Sequence, residues 1–330
     1  MQDGPKSVNA ALHYPYPSGQ SFPKYGEIIR DRRFPPMTWL RRLFASLLVL
    51  ALPGCATDLY APDEKYVAPA LWQVSDDDTT IYLFGTVHAL NSDTQWYSGP
   101  IEQAYEASDE LVTEIAIGNP DADAQAIIER APLAEGQTLR NLMTPENRAQ
   151  YEDMMVTLGL PVEALDRYEP WYAAMTLTLL QAQTRGFDPD AGAETALAGR
   201  AESKTRIALE TVEEQIALFD ALPMEAQLVF LDETVESMHS AVDTLQLMID
   251  KWMRGDATAL AQMMNDELDD PVLYERLLTA RNARWADWIK ARMDRPGTVF
   301  VAVGAGHLAG KGSVQDMLRQ RGVRVRRVRK

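Results

Sequence analysis

Cysteine and histidine are scarce in this chain. Its 330 residues include one cysteine and four histidines. A single cysteine excludes an internal disulfide and any zinc site built on several thiolates. Basic residues are outnumbered, with 32 lysines and arginines against 48 aspartates and glutamates, so the formal net charge is −16. Because so acidic a surface repels nucleic acid, we expect no nucleic-acid partner.

The N-terminal part has the features of an export signal. Residues 37–54 contain an arginine pair followed by an apolar stretch at 43–52. That stretch is too short to cross a bilayer as a helix, which takes ~20 apolar residues, and the pattern is typical of a signal peptide. The sequence LPGC ending at Cys55 resembles a bacterial lipobox, in which the cysteine is lipidated. We therefore expect an exported lipoprotein of the cell envelope that is anchored at the membrane through Cys55 and faces the periplasm. An ordinary signal peptide or an uncleaved anchor remains an alternative.

The rest of the chain predicts one mixed domain. Residues 1–36 precede the signal and are interpreted as a mis-called or disordered extension, and residues 55–65 as a linker. In residues 66–330, β-rich runs cluster towards both ends and helical patterns fill the middle. This order predicts an α/β (α+β-like) fold, with a central mixed sheet built from both chain ends and a large helical insertion.

Two segments end in the same motif. LFGTVHAL at 83–90 and VAVGAGHLAG at 301–310 each place Gly-x-x-His after an apolar, β-rich run. Histidines just past the carboxyl end of a strand lie where α/β sheets bind ligands. One such histidine would more often be structural. Two of them among four histidines favour a shared metal site containing His88 and His307.

Two glutamates are candidates to complete this site. Glu114 lies in the apolar run LVTEIAI, and Glu210 ends the run TRIALET. A buried glutamate is costly unless it is paired or binds a metal. Glu114, the more constrained of the two, is expected to bind the ion or to hold the activated water. Glu210 is expected either to support the metal ligands from outside the coordination sphere or to serve as the general base. The alternative for each is an ion pair with a buried arginine.

A divalent ion held by two imidazoles and carboxylates lowers the pKa of bound water toward ~7 when one coordination position stays open. A glutamate outside the coordination sphere can then act as a general base, and an arginine can stabilise the developing oxyanion. Nitrogen and oxygen donors without sulfur suit Zn, Mn or Co, and this donor set is not selective for one of the three metals.

These motifs resemble those of the TraB/GumN family, which includes the Tiki and pheromone-shutdown proteins. The resemblance extends over roughly residues 66–328. It rests on both Gly-x-x-His segments, on LVTEI, on ALETVEEQIALFDALP, and on Arg281-Asn282. It implies a fold shared with erythromycin-esterase-like and ChaN-like proteins. It also implies metal ligands at His88, His307 and Glu114, and catalytic roles for Glu210, Arg281 and Glu114.

The resemblance implies an activity as well, since the Tiki branch is described as metal-dependent proteases. We expect a metal-dependent hydrolase that acts on a peptide or small-molecule substrate. The alternatives are an envelope lipoprotein that binds a metal or heme without catalysis, and a structural protein with a vestigial site.

Overall fold

The computed structural model describes residues 68–117, 120–267 and 274–329. The extension at 1–36, the signal peptide at 37–54, the linker at 55–65 and Cys55 itself lie outside the described residues. Within the described part of the chain, every helix is too short or too polar to be a candidate membrane span.

A mixed sheet of six strands forms the centre of the described structure. The strands are β1 (Leu71–Ser75), β2 (Thr79–Thr86), β3 (Glu110–Thr113), β4 (Thr205–Ala208), β5 (Gly297–Gly304) and β6 (Val325–Arg327). Their order is β4-β3-β5-β2-β1-β6. Neighbours from β4 to β2 pair in parallel, whereas β1 is antiparallel to both β2 and β6. Five of the six strands come from the two ends of the domain and β4 comes from its middle, which confirms the mixed α/β fold class expected from the sequence.

Local sequence explains the strands at the centre. Asp76 accepts the backbone N–H of Thr79 at 2.8 Å and closes the turn between β1 and β2. β2 and β5 read TTIYLFGT and GTVFVAVG. Such continuous apolar runs are typical of parallel strands that are covered on both faces, and these two strands pair along their whole length.

Helices fill the long connections. Several begin with proline at the first position, where its missing N–H costs no hydrogen bond. The helices of the described residues are α1 (Pro100–Glu106), α2 (Pro120–Arg130), α3 (Leu139–Leu142), α4 (Pro145–Thr157), α5 (Pro170–Thr184), α6 (Ala193–Gly199), α7 (Val212–Asp220), α8 (Met224–Met253), α9 (Ala257–Glu267), α10 (Ala280–Arg292) and α11 (Val314–Gln320).

Hydrophobic side chains cover both faces of the sheet. One face carries an aromatic cluster that includes Phe84, Trp96 and Phe300. The other packs against α10 and α11 through Trp285 and Leu318. Full burial of one large apolar side chain contributes about 1.5–3 kcal/mol, so both layers hold the sheet in place. A separate core joins α4, α5 and α8 in the helical insertion.

Element boundaries differ from the sequence expectation near the candidate site. The apolar run LVTEIAI forms a strand only as far as Thr113, so Glu114 follows β3 instead of lying within it. β4 ends at Ala208, two residues before Glu210. A π-helical turn, Glu275–Thr279, directly precedes α10.

Candidate metal centre

The candidate site forms at the carboxyl ends of four neighbouring parallel strands. His88 follows β2, Glu114 follows β3, Glu210 follows β4, and His307 follows β5. The two strands that carry Gly-x-x-His are direct neighbours, and Gly85 of the first lies opposite Val303 of the second. The carboxyl edge of a parallel sheet is where α/β proteins bind ligands, and the predicted polar residues all converge there.

The glycines of the two motifs have different tasks. A Cβ on Gly85 would lie 3.0 Å from the Cα of Ala305, so this glycine lets the loop after β5 cross close to β2. A Cβ on Gly304 would lie 3.0 Å from Glu114 Oε1 and 3.7 Å from His88 Nε2. The absence of a side chain at 304 therefore leaves the space into which these two atoms point.

A carboxylate holds the imidazole of His88. Glu194 Oε2 lies 2.6 Å from His88 Nδ1, and Thr86 donates to Glu194 Oε1 at 2.9 Å. Attraction to Glu194 and the hydrogen bond with it raise the pKa of His88 to about 9. The histidine side chain is 70% exposed and its partner only 11%, so this ring lies at the solvent boundary of the site.

Close backbone packing brings Glu194 to this place. Ala193 donates its N–H to the carbonyl of Val87 at 3.0 Å, which fixes the start of α6 against the end of β2. A Cβ on Gly192 would lie 2.3 Å from the carbonyl oxygen of His88, so only glycine allows this approach.

Glu114 is buried and has a different partner on each oxygen. Oε1 accepts the N–H of Gly304 at 2.7 Å. Oε2 accepts from Arg281 Nη2 at 2.6 Å and from Gln215 Nε2 at 2.9 Å. Burial by itself would raise the pKa of this carboxyl. The positive charge of its histidine and arginine neighbours, together with the Gly304 hydrogen bond, outweighs burial and lowers the pKa below its ordinary value.

Arg281 uses all five of its guanidinium N–H groups. Nε donates to Glu210 at 3.0 Å. Nη2 donates to Glu210 Oε2 at 2.7 Å and to Glu114 at 2.6 Å. Nη1 contacts the carbonyl of Leu277 at 3.1 Å and His307 Nε2 at 3.0 Å. Glu210 also accepts from Arg284 at 2.9 Å, so both its oxygens face arginines.

His307 lies behind this network. Its Nδ1 lies 2.7 Å from Asn282 Oδ1, and its ring centroid is 4.3 Å from that of Trp285. Burial lowers the pKa of His307 to about 3, so the imidazole is neutral at physiological pH. Its Nε2 is 3.8 Å from Glu114 Oε1.

Three side chains form a group with suitable geometry for a metal ion. One ring nitrogen of His88 and one carboxylate oxygen each from Glu114 and Glu194 lie within 4.8 Å of one another. This donor set of one nitrogen and two oxygens, with no sulfur, fits a divalent ion such as Zn, Mn or Co. The side chains therefore fit the metal that the sequence motifs imply.

Each residue predicted from the sequence reaches this edge of the sheet, but their contacts differ. The alternative considered for Glu114 and Glu210, an ion pair with a buried arginine, describes the contacts of both. Sequence reasoning missed Glu194, Gln215 and the role of Asn282. Glu194 follows a glycine at the start of a short helix, a signal too common to single it out. Asn282 stands beside Arg281 in a segment that carries the family resemblance, and so could have been considered.

The fold and the site together define an α/β protein with histidine and glutamate side chains at the carboxyl edge of a parallel sheet. The chain belongs to the TraB/PrgY/gumN family, whose sequence model matches residues 70–327. No solved structure matches the chain significantly.

Among curated proteins, YbaP of Escherichia coli (strain K12), described as uncharacterized, is 28% identical over 261 residues, which cover 77% of this chain and 93% of YbaP. An uncharacterized protein of Treponema pallidum (strain Nichols) is 24% identical over 303 residues, 83% of this chain and 89% of that protein. Metalloprotease TIKI1 of Danio rerio is 26% identical over 329 residues, 82% of this chain and 65% of that protein.

Proposed function

We propose that this protein is a metal-dependent hydrolase whose ion is held by His88, Glu114 and Glu194. The observation that carries the proposal is the grouping of these three side chains within 4.8 Å of one another. The distant relative named as a metalloprotease supports the choice of reaction, and a peptide is accordingly the first candidate substrate. When bound at such a site, a divalent ion supplies Lewis-acid activation of water and of the scissile carbonyl.

The protein's own groups prepare this chemistry. Glu194 fixes the orientation of the His88 ring through Nδ1, an arrangement typical of metal-binding histidines, and leaves Nε2 facing the site. The described contacts of Glu194 are with Thr86 and His88 rather than with an arginine. Its carboxylate is therefore better placed than that of Glu210 to contribute an oxygen to the ion.

Glu210 has a positioning role in this proposal. Both of its oxygens accept hydrogen bonds from arginines, Arg281 and Arg284. A carboxylate whose two oxygens both accept from guanidinium groups has few acceptor positions left for a proton from water. Glu210 instead helps to orient Arg281, which in turn holds Glu114 Oε2.

A comparison of two glutamate variants tests the proposal. The wild type is expected to bind one Zn²⁺, Mn²⁺ or Co²⁺ per chain and to cleave members of a mixed peptide library. Glu194→Gln should weaken metal binding by at least about 10–100-fold, which is the cost of losing only the carboxylate partner of a metal-binding histidine, and should reduce cleavage.

The matched control is Glu110→Gln. Glu110 is likewise a glutamate with hydrogen-bonded side-chain oxygens, but it pairs with Arg292 at the opposite end of β3 from the site. This variant should bind metal like the wild type. Wild-type protein that binds none of the three ions would contradict the proposal. Binding without cleavage of any peptide or ester probe would instead favour a metal-binding lipoprotein.

We further propose that the protein acts in the bacterial cell envelope and is anchored through lipid on Cys55. The signal-like residues 37–54 and the LPGC sequence support this location. Two or more acyl chains give stable membrane attachment. Mass spectrometry of the membrane fraction should find Cys55 as the lipidated first residue, whereas a mature protein that retains residues 1–36 would contradict the proposal.

A further inference from the structure

Hydrogen bonding fixes the orientation of the Asn282 side chain. Its Nδ2 donates to the carbonyl of Gly312 at 2.9 Å. Because an amide nitrogen only donates and a carbonyl only accepts, the amide cannot be reversed at this position. The amide oxygen therefore faces His307 Nδ1, at 2.7 Å. An oxygen acceptor requires a donor, so Nδ1 of His307 carries the proton.

The second ring nitrogen is then determined as well. A neutral imidazole that is protonated at Nδ1 has its lone pair on Nε2. Arg281 Nη1 lies 3.0 Å from His307 Nε2, and a guanidinium can only donate. The lone pair that a metal would need is therefore occupied by a hydrogen bond from the protein. A metal could bind His307 only if the arginine moved away.

Such a movement is disfavoured because Arg281 is held on every side. Its other N–H groups are bonded to Glu114, Glu210 and the carbonyl of Leu277. Its guanidinium also lies 4.8 Å from the ring centroid of Trp285. Removing one partner from a buried ion pair is strongly destabilising, since it leaves an unpaired buried charge.

We propose that His307 is a positioning residue rather than a metal ligand. Asn282 fixes its tautomer, His307 accepts the N–H of Arg281, and Arg281 orients Glu114 toward His88. The two Gly-x-x-His motifs thus supply one ligand and one support for the ligand shell. This inference rests on the proposed metal-dependent function, in which Glu114 holds the ion.

Nitrogen NMR of the histidine rings tests the inference directly. The full-length chain, labelled with ¹⁵N on histidine, contains four such residues, and single substitutions assign their signals. We expect His307 to show a protonated Nδ1 and an unprotonated Nε2. Addition of Zn²⁺ alone should shift the ring signals of His88 and leave both ring signals of His307 in place.

The outcomes separate this inference from the proposed function. A zinc-induced change at His307 Nε2, at the same stoichiometry as at His88, overturns the positioning role. A proton on Nε2 in the metal-free protein overturns it too. If zinc shifts no ring while His307 keeps its predicted tautomer, the metal-dependent function fails and the positioning role stands.

Substitutions at Asn282 provide a second readout. In Asn282→Asp the hydrogen bond to the Gly312 carbonyl is lost, but a carboxylate oxygen still accepts from Nδ1, so His307 should keep a single tautomer. In Asn282→Ala the acceptor is lost, and the NMR signals should report a mixture of the two tautomers. Equal tautomer populations in both variants would contradict the assigned role.

Discussion

The first Gly-x-x-His motif ends in a histidine whose side chain is 70% exposed, whereas the histidine of the second is only 7% exposed. His88 has a carboxylate on Nδ1 and turns Nε2 toward the site. His307 has an asparagine on one nitrogen and an arginine on the other. Two matching motifs on adjacent strands thus place chemically different groups. The difference comes from the partners supplied by α6 and α10, which lie far away in sequence.

The largest expected effect concerns the arginine behind the second motif. Arg281→Met leaves Glu114 and Glu210 without their main buried partner. We expect a loss of about 3–5 kcal/mol in the free energy of unfolding, measured by denaturant titration.

Arg284→Met is the matched control for this change. Arg284 contacts the same Glu210, but its side chain is 53% exposed, so its removal should cost about 1 kcal/mol or less. Equal losses in the two variants would show that Arg281 is not the centre of the buried network.

The next-largest effect is on zinc affinity and separates the role of Glu114 from that of Glu210. Glu114→Gln replaces a carboxylate oxygen that faces His88 and should weaken Zn²⁺ binding by about 100-fold or more, above the range for indirect contacts. Glu210→Gln retains the shape of a residue that contacts only the supporting arginines and glutamine. Its zinc affinity should change by about threefold or less. Isothermal titration calorimetry measures both values, and a larger loss in Glu210→Gln would reverse the assignment.

A substitution at Gly304 would fill the space between Glu114 and His88. In Gly304→Ala the new Cβ lies 3.0 Å from Glu114 Oε1, which must move. Overpacking of this kind costs about 1–3 kcal/mol of stability, and zinc affinity should fall as well.

Gly199→Ala is the comparison for this glycine, because nothing lies within 4 Å of the Cβ that it would add. It should be neutral or stabilise the protein by up to about 1 kcal/mol. Thermal unfolding distinguishes the two variants. An unchanged zinc affinity in Gly304→Ala would argue against a site at this point.

A carboxylate outside the site gives the smallest effect. Burial raises the pKa of Asp232 on α8 to about 6, although a hydrogen bond from Asn147 opposes the shift. The protonated acid favours the folded state, so this contribution is present below about pH 4 and is lost as the pH rises toward 6. Asp232→Asn should remove that part of the pH dependence of unfolding. If the difference in unfolding free energy between wild type and variant were constant from pH 4 to 7, the raised pKa of Asp232 would be contradicted.

Much of the architecture is visible in the sequence. The apolar runs before both motifs predicted strands, and the distribution of strands towards the chain ends predicted a mixed sheet. Local pattern also located His88, Glu114, Glu210 and His307, since each directly follows a strand or its exit. These features depend on neighbours in sequence, which is why they could be predicted.

The partners of these residues could not be predicted in the same way. Glu194 meets His88 across 106 positions because a glycine allows two backbones to touch. Arg281 follows a π-helical turn in which Ala280 donates to the carbonyl of Glu275, five residues earlier. Such a turn shifts the side chains that follow it and has no reliable signature in a single sequence. All five N–H groups of Arg281 find acceptors only once the chain is folded.

Zinc binding to three proteins tests the central claim most directly: the wild type, His88→Gln and His307→Gln. The two substitutions are chemically identical and occur in matching motifs, so any difference reports the surroundings of each ring. We predict one zinc ion per chain in the wild type, a loss of at least about 100-fold in affinity for His88→Gln, and a change of about threefold or less for His307→Gln. Equal losses in the two folded variants would contradict the account, because both histidines would then be ligands.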